Sequence, residues 1–457
     1  MTKKQFKHDL LRGLGSALLA LQANSNPGKY RDIVLYGCLH NTAYDPQCEG
    51  DRGWYLCQAV QLVGDKKAIE SAVIQKIFRV REDHWLFDQL ASILYYFALE
   101  GSEIARATLY QQYENMLNEL SLGRKNNHAY LRRDMFDDLC IWLILLDKWS
   151  AFKRIVQDIS EILLPKDQDF FQCESFYGES KNKFGKKRVD DYLRSQAEKS
   201  PFICAYYEKA KAWDEHRCAD ARFIPTLEQV VSKAQEQGRS DDRWLDNGSR
   251  WFARLFVKNA SLEEIEKLAR AAMDEPDAKI QFELLWPFRM RAIYSFPDAF
   301  LLRLCQSGDE RLRNTAYKII EHNPSPKTRE LALSLIQSGE DIEHGTSLLA
   351  RTLRSEDESL LCEVVKTAPI HRNKWVWHSI FMAAKDGIAV MHGKPKTDIL
   401  EYIYRYTLCG ICRKYIVRLM RKKKVLTEKI LQECQYDSNK DIRTFAGRIV
   451  KSRKLSV

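Results

Sequence analysis

The densest cluster of chemically active residue types lies between His40 and Arg52, where an imidazole, a thiol, an amide and several acids fall within one short segment. Such density is typical of an active or binding site. Cys48 and His40 have the residue types of a nucleophile and its base, but no third group that would orient the base follows at a recognisable spacing. The candidate binding residues in this segment are Asn41, Tyr44, Asp45, Glu49 and Arg52.

A second segment near the other end of the chain repeats the order of these groups and supports a structural interpretation. In both segments a Tyr-Asp pair is followed by another Asp and then by an Arg, which is Arg443 in the second copy. An Asp at a turn caps the helix that follows, and an Arg binds acids or free carbonyl groups. A junction between helical repeats and a functional site are therefore both open interpretations.

Cys409 and Cys412 form the one Cys-x-x-Cys pair of the sequence. Zinc needs four ligands, and the sequence offers only Cys434 as a third, with no histidine after Cys412. A redox pair of the thioredoxin type would be expected in a βαβ context, which is missing. We therefore expect packing thiols, no metal site and no cofactor.

The common catalytic motifs are missing from the sequence. It has no Gly-rich phosphate loop, no Gly-x-Ser-x-Gly elbow, no His-Glu-x-x-His and no calcium loop. We name no catalytic residue and expect a protein without catalytic activity, with an enzyme that uses the His40–Arg52 segment as a remaining alternative.

Positive charge is concentrated in the last fifth of the chain. The net charge is +10, and residues 370–457 hold 20 Lys and Arg against 7 Asp and Glu. Clustered cations on one side of a helical stack would bind phosphates. The candidate nucleic-acid contacts are Arg418, Arg421, Lys422, Lys423, Lys424, Lys451 and Arg453.

Two tryptophans, Trp375 and Trp377, lie on nearly opposite faces of one predicted helix. One of them is therefore expected to be exposed, and an exposed indole in a groove would anchor a partner. Both are included among the candidate binding residues.

The elements that carry these residues are predicted to be helices. Gly (20) and Pro (12) are scarce, and apolar residues recur three and four apart, also in an amphipathic first helix over residues 1–21. No apolar run is long enough to span a bilayer, and the scattered cysteines fit a reducing compartment, so we expect a cytoplasmic protein that does not bind membranes. Predicted helices in the second half include Glu310–Glu321, Thr328–Gln337, Glu358–Thr367, Lys374–Lys385 and Lys440–Lys451.

Three of the helices share a pattern in which an Arg is followed three residues later by Ala and then by two apolar residues. The copies begin at Arg313, Arg329 and Arg443, and Arg413 begins a looser one. This pattern resembles the first helix of HEAT-type (armadillo-like) repeats, and the chain resembles bacterial HEAT-repeat proteins of unsettled function. The resemblance implies an all-α fold, a right-handed α-solenoid of antiparallel helix pairs with a concave surface.

The pattern divides the chain into four parts. Residues 1–164 are predicted as an N-terminal helical repeat region, 165–200 as a polar loop or linker, 201–297 as an irregular helical region, and 298–457 as HEAT-like repeats, strongly basic from 370. We expect an interaction scaffold that binds a partner protein on the concave surface. The alternative is a HEAT-like protein that binds nucleic acid or another polyanion through the basic region, resembling the DNA-repair alkylpurine glycosylases.

Overall fold

The computed structural model describes residues 1–49, 52–122, 129–166, 174–220, 224–239, 246–290, 292–367 and 373–454. Within these ranges all regular structure is helical, with no strand, so the predicted all-α class is confirmed. None of the described helices combines the length and apolar character needed to cross a membrane.

The chain divides into two compact units. Unit 1 contains residues 1–218 and 405–457, and unit 2 contains residues 219–404. The region 298–457, predicted as one block of repeats, is thus shared between the units, and its most basic part belongs to unit 1. This division follows from packing between segments far apart in sequence, which leaves no local signal.

The helices of the first half run in chain order as α1 (Lys3–Arg12), α2 (Gly15–Gln22), α3 (Arg31–Leu39), α4 (Pro46–Glu49), α5 (Gly53–Val63), α6 (Lys66–Ile77), α7 (His84–Leu99), α8 (Glu103–Ser121), α9 (Ala129–Asp158), α10 (Glu174–Phe184), α11 (Lys186–Ala197) and α12 (Pro201–Asp220). The second half continues with α13 (Leu227–Arg239), α14 (Asp246–Asn259), α15 (Leu262–Asp274), α16 (Ala278–Leu285), α17 (Asp298–Cys305), α18 (Glu310–His322), α19 (Pro326–Ser338), α20 (Ile342–Arg351), α21 (Glu358–Thr367), α22 (Lys374–Val390), α23 (Ile399–Tyr406), α24 (Gly410–Lys422), α25 (Glu428–Cys434) and α26 (Lys440–Lys454).

Hydrogen bonds from nearby side chains fix where several of the helices begin. The Asp309 carboxylate caps α18 by accepting from the backbone N–H groups of Arg311 and Leu312, at 2.8 and 3.2 Å. Ser261 and Glu264 form a capping box at the start of α15. Such side-chain acceptors satisfy N–H groups that have no partner within the helix.

Alternate helices pack against one another in both units. In unit 1 the sequence of contacts is α3 with α5, α5 with α7, and α7 with α9; in unit 2 it is α16 with α18, α18 with α20, and α20 with α22. Each unit buries its own core, with Phe87, Leu90 and Phe136 in unit 1 and Leu268, Leu285 and Ile319 in unit 2.

Two predictions about the first half were wrong. The predicted single helix over residues 1–21 is two helices, because Gly13 adopts the left-handed conformation (φ +72°) and ends α1. The segment predicted as a polar loop at 165–200 holds α10 and α11, broken only at Gly185 (φ +88°), with residues 167–173 outside the described part. Although most residues of this segment are polar, it has buried apolar residues at helical spacing: Phe176, Tyr177, Val189 and Leu193.

Candidate functional site

Glu49 organises the polar segment before α5. Its carboxylate accepts from the backbone N–H groups of Tyr44 (3.0 Å) and Asp45 (3.2 Å) through Oε1, and from Arg52 Nη2 (2.9 Å) through Oε2. The Glu49 side chain is only 3% exposed. The segment therefore folds around one buried carboxylate, and Glu49 is turned inward.

Arg52 ties this segment to the end of α1. Its Nη1 donates to the backbone oxygen of Leu11 (2.8 Å) and to Thr42 Oγ1 (3.1 Å), and the residue is buried. Asn41 donates to the backbone oxygen of Trp85 (2.9 Å) and accepts from the backbone N–H of Ala43. The side chains of Asn41, Glu49 and Arg52 are therefore engaged in hydrogen bonds within the chain.

The position of the Cys48 side chain relative to His40 lies outside the described part of the structure. His40 Nδ1 lies 3.0 Å from the backbone oxygen of Tyr36, and its ring stacks on the Tyr36 ring. Gly50, Asp51 and the side chain of Cys48 lie outside the described residues. The imidazole is thus engaged within α3 and the turn after it.

The C-terminal helices reach the same place, the turn between α1 and α2. Arg413 and Asp437 form an ion pair there with no exposure of either side chain, and Arg413 Nη2 lies 3.4 Å from the backbone oxygen of Gly13. The backbone N–H of Ser438 donates to the same oxygen at 2.8 Å. We call this set of contacts the terminal junction.

Close approach at the terminal junction requires glycine. A Cβ placed on Gly15 would lie 1.8 Å from the backbone oxygen of Glu433, far inside van der Waals contact. Gly13 has no room either, since its Cβ would meet Ser438 Oγ at 2.0 Å. The Gly-x-Gly of residues 13–15 is the one sequence signal for this contact.

Charges at the terminal junction balance. Burial lowers the pKa of Arg12, and the neighbouring Arg413 and Arg52 add to this, while Asp9 opposes it. Three guanidinium groups face the three carboxylates Asp9, Glu49 and Asp437, with two direct pairs between them. The Arg52–Glu49 and Arg413–Asp437 pairs thus have fixed protein partners, whereas Arg12 Nε and Arg52 Nε are buried without a hydrogen-bond partner among the described residues.

The two similar segments recognised in the sequence meet in unit 1. The Arg443 guanidinium donates to the backbone oxygens of Asp437 (2.6 Å) and Ser438 (2.7 Å). It also stacks 3.8 Å from the centroid of the Trp54 ring, which follows the first segment. Arg313 likewise donates to the backbone oxygens of Ser307 and Gly308, so Arg313 and Arg443 both bind carbonyl groups of their own preceding turn.

The cysteine pair lies at the start of α24, where Cys409 is the N-cap residue. Cys434 is buried within α25. Among the described residues, no three His, Cys, Asp or Glu side chains are arranged to hold a metal ion.

The C-terminal segment of unit 1 has far more cations than acids. Residues 405–457 contain fifteen Lys and Arg and four Asp and Glu. Each acid pairs with one cation: Glu433 with Arg405, Asp437 with Arg413, Asp441 with Lys414, and Glu428 with Arg453. Eight exposed cations form no ion pair within the described part of the chain, namely Arg418, Arg421, Lys422, Lys424, Lys429, Lys440, Arg448 and Lys451.

Part of this excess forms one surface across two packed helices. The guanidinium groups of Arg418 and Arg421 lie 5.9 and 5.6 Å from the Phe445 ring centroid, and Arg448 is one turn beyond Phe445 on α26. We call the group formed by Arg418, Arg421, Lys422, Lys424 and Arg448 the basic face. Tyr415, 47% exposed, lies one turn before Arg418.

Two lysines of the predicted set differ from the rest. Lys423 is buried, and burial followed by the nearby Lys422 lowers its pKa, so it does not belong to the basic face. Lys424 is exposed and adopts a left-handed conformation (φ +59°) at the end of α24. Arg453 is occupied by Glu428, and Lys451 is exposed on α26.

The two tryptophans of α22, in unit 2, differ in exposure, as their spacing on the helix predicts. Trp375 is 64% exposed, and Trp377 is buried against Phe381. Trp377 therefore contributes to the core of unit 2 and is not available to a partner.

Sequence reasoning did not identify Arg413 and Asp437 as partners of the α1–α2 turn, since nothing local links residues 400 positions apart. With the geometry established, comparison with known proteins gives no further assignment: no family model, no curated protein and no solved structure matches the chain.

Proposed function

We propose that this protein is a non-catalytic nucleic-acid-binding protein that contacts its ligand through the basic face. The observation that carries this proposal is the set of exposed cations left over after all four acids of the C-terminal segment have paired. Unpaired cations on one surface attract phosphates and release counterions when they bind them.

Aromatic side chains among these cations favour a strand with accessible bases. Tyr415 is 47% exposed one turn before Arg418, and the Phe445 ring of α26 lies close to Arg418 and Arg421 of α24. Bases stack on exposed rings while cations bind the backbone, the combination used to bind single strands. Tighter binding of single strands than of duplexes is therefore expected.

The conformation of Lys424 also supports a ligand-binding role. A left-handed conformation costs a residue with a Cβ about 1 kcal/mol relative to glycine. Glycine is the usual residue at this position after a helix. A lysine occupies this position at a cost in stability, next to the other cations of the basic face.

We also propose that the helix pairs stack as HEAT-like repeats into a right-handed α-solenoid within each unit. The contacts between alternate helices support this stacking. So does the repeated arginine, because Arg313 and Arg443 make the same bonds at the starts of α18 and α26. A stack of this kind would present the basic face on a rigid support.

Charge reversal on the basic face tests the proposed function. Binding of fluorescein-labelled single-stranded and duplex oligonucleotides to the full chain is measured by fluorescence anisotropy at low salt. R418E/R421E/R448E is expected to weaken binding by at least about tenfold. The matched control K67E/R79E/K153E reverses three exposed, unpaired cations of unit 1 outside the C-terminal segment and is expected to bind within about threefold of wild type. Equal loss in both variants would show a nonspecific charge effect and reject the basic face.

A second candidate function, a scaffold for a partner protein, is favoured by Trp375. An indole with 64% exposure is a common anchor of protein interfaces. A photo-crosslinking residue at position 375 should then give one discrete product in cells, whereas the same residue at the exposed position Lys258 should give none. No product at 375, or the same pattern at both positions, would remove this candidate.

A further inference from the structure

Cys409 and Cys412 occupy the two positions of a helix start at which side chains meet. Cys409 is the N-cap of α24, with extended backbone (φ −85°, ψ 119°), and Cys412 is the third residue of this 13-residue helix. An N-cap side chain points back over the third helical residue. In helical geometry Cα atoms three residues apart are separated by about 5 Å, which lies within the range that disulfides span.

The surroundings of the Cys409 sulfur favour its thiolate. The Cys412 thiol and the backbone N–H groups of Cys412 and Ile411 act to lower the pKa of Cys409 to about 7, against burial and the Glu49 carboxylate, which raise it. The positive end of the helix dipole acts in the same direction. Burial alone does the reverse at Cys38 and Cys305, where it raises the pKa of each thiol to about 12.

The two thiols differ in access. Cys412 is half-buried, while Cys409 is 6% exposed. A small disulfide from solution therefore reaches the sulfur of Cys412 first, and the thiolate of Cys409 lies behind it. The accessible thiol and the readily ionised thiol are adjacent residues on one helix turn.

We propose that Cys409 and Cys412 form a redox-active dithiol, a modification site that is oxidised reversibly to an intrahelical disulfide by low-molecular-weight disulfides. Ionised Cys412 attacks one sulfur of the disulfide RSSR, which forms a mixed disulfide and releases RS⁻. The Cys409 thiolate then attacks the Cys412 sulfur, forms the Cys409–Cys412 bond and releases the second RS⁻. One RSSR is reduced to two RSH for each dithiol oxidised, with the protons of the two thiols passing to the released thiolates.

Oxidation would act directly beside the terminal junction. Gly410, between the two cysteines, lies close to Glu49 and Arg413: a Cβ on it would be 3.7 Å from Glu49 Oε2 and 3.8 Å from Arg413 Nη2. Tyr44 also faces the pair, and its pKa is raised by burial and by both cysteines. The dithiol is thus positioned at the contact between the C-terminal helices and the N-terminal segment of unit 1.

The test exposes the full chain to glutathione buffers of increasing oxidised fraction, then alkylates free thiols and identifies modified peptides by mass spectrometry. The wild-type protein is expected to show a Cys409–Cys412 disulfide that dithiothreitol reverses. Cys434, which is fully buried, should stay reduced and report that the fold is intact.

The C409S variant separates the two steps. Without the second thiol, the glutathione adduct on Cys412 cannot be resolved, so at least a tenfold larger fraction of Cys412 should carry glutathione than in wild type. C409A serves as a second variant should serine disturb the helix start. Free thiols at both positions in oxidised glutathione, or equal adduct levels in wild type and C409S, would overturn the proposal.

Discussion

Arg413 and Asp437 are joined by two hydrogen bonds, Nε to Oδ2 at 2.8 Å and Nη2 to Oδ1 at 3.0 Å, and neither side chain is exposed. The same guanidinium approaches the backbone oxygen of Gly13, which also accepts from the Ser438 N–H. One ion pair therefore holds together α24, the turn before α26 and the turn between α1 and α2. Since a buried charge is costly without its partner, we expect the pair to make the docking of the C-terminal helices specific.

Removing one member of this pair should destabilise unit 1 strongly. R413M leaves the Asp437 carboxylate buried without its guanidinium, and we expect a loss of about 3–5 kcal/mol in the free energy of unfolding of unit 1. The measurement is urea unfolding followed by circular dichroism. The double variant R413M/D437L removes both charges and should recover at least about 1 kcal/mol of this loss. A double variant less stable than R413M would contradict the assigned role of the pair.

Gly15 should tolerate no side chain, because its Cβ would lie 1.8 Å from the Glu433 oxygen. G15A is expected to destabilise unit 1 by at least about 2 kcal/mol. Its matched control is G447A, at an exposed helical position with nothing within 4 Å, which should stabilise the protein by about 0.5–1 kcal/mol. Thermal unfolding of the two variants checks the prediction, and a neutral G15A would mean that α2 and α25 do not pack this closely.

The local features of the fold were predictable from the sequence, and the long-range ones were not. Helix α18 was predicted at Glu310–Glu321 and is found at Glu310–His322, while α21 was predicted with both ends correct. The spacing of apolar residues and the Asp309 cap depend only on residues close together in the sequence, so they can be predicted from it. Helix α22 was predicted too short, ending at Lys385, whereas it extends to Val390. Gly387 lies within it and packs against Ala350, where a Cβ would lie 3.1 Å from the Ala350 Cα.

The sequence indicated which residues form the candidate site, but it did not indicate how they are arranged in space. Glu49 and Arg52 stood out as polar residues, but their burial depends on α1, which lies some forty residues earlier. The basic face required two helices to pack, whereas the burial of Lys423 between exposed neighbours follows from its place one turn after the buried residues Leu419 and Met420. Contacts between distant segments leave only weak traces, here the two glycines at 13 and 15.

His84 should make the stability of unit 1 depend on pH. Burial lowers its pKa, but the hydrogen bond and charge of Asp138, with Asp134 and Asp88, outweigh burial and leave the pKa raised. A raised pKa in the folded state stabilises the protein below the unfolded value of about 6.5, and the contribution is lost as pH rises through the folded pKa. The difference in unfolding free energy between wild type and H84N should therefore shrink from about pH 6 to about pH 8.5. A difference that stays constant or grows with pH would contradict this.

Replacement of Lys424 and of Lys422 by glycine should change the stability of unit 1 in opposite directions. K424G relieves the left-handed strain and is expected to stabilise unit 1 by about 1 kcal/mol, whereas K422G places glycine in the last turn of α24 and should destabilise it by up to about 1 kcal/mol. Both variants remove one cation of the basic face, so both should weaken oligonucleotide binding. Unfolding and anisotropy on the same samples separate the two effects, and unchanged binding in both would exclude these lysines from the face.

The salt dependence of binding tests the central claim most directly. The affinity of wild type and of R418Q/R421Q/R448Q for a labelled single strand is measured between about 50 and about 200 mM salt. If these arginines contact phosphates, the slope of log affinity against log salt concentration should be shallower by about two to three in the variant. Identical slopes for the two proteins, or no binding by wild type at the lowest salt, would contradict nucleic-acid binding through the basic face.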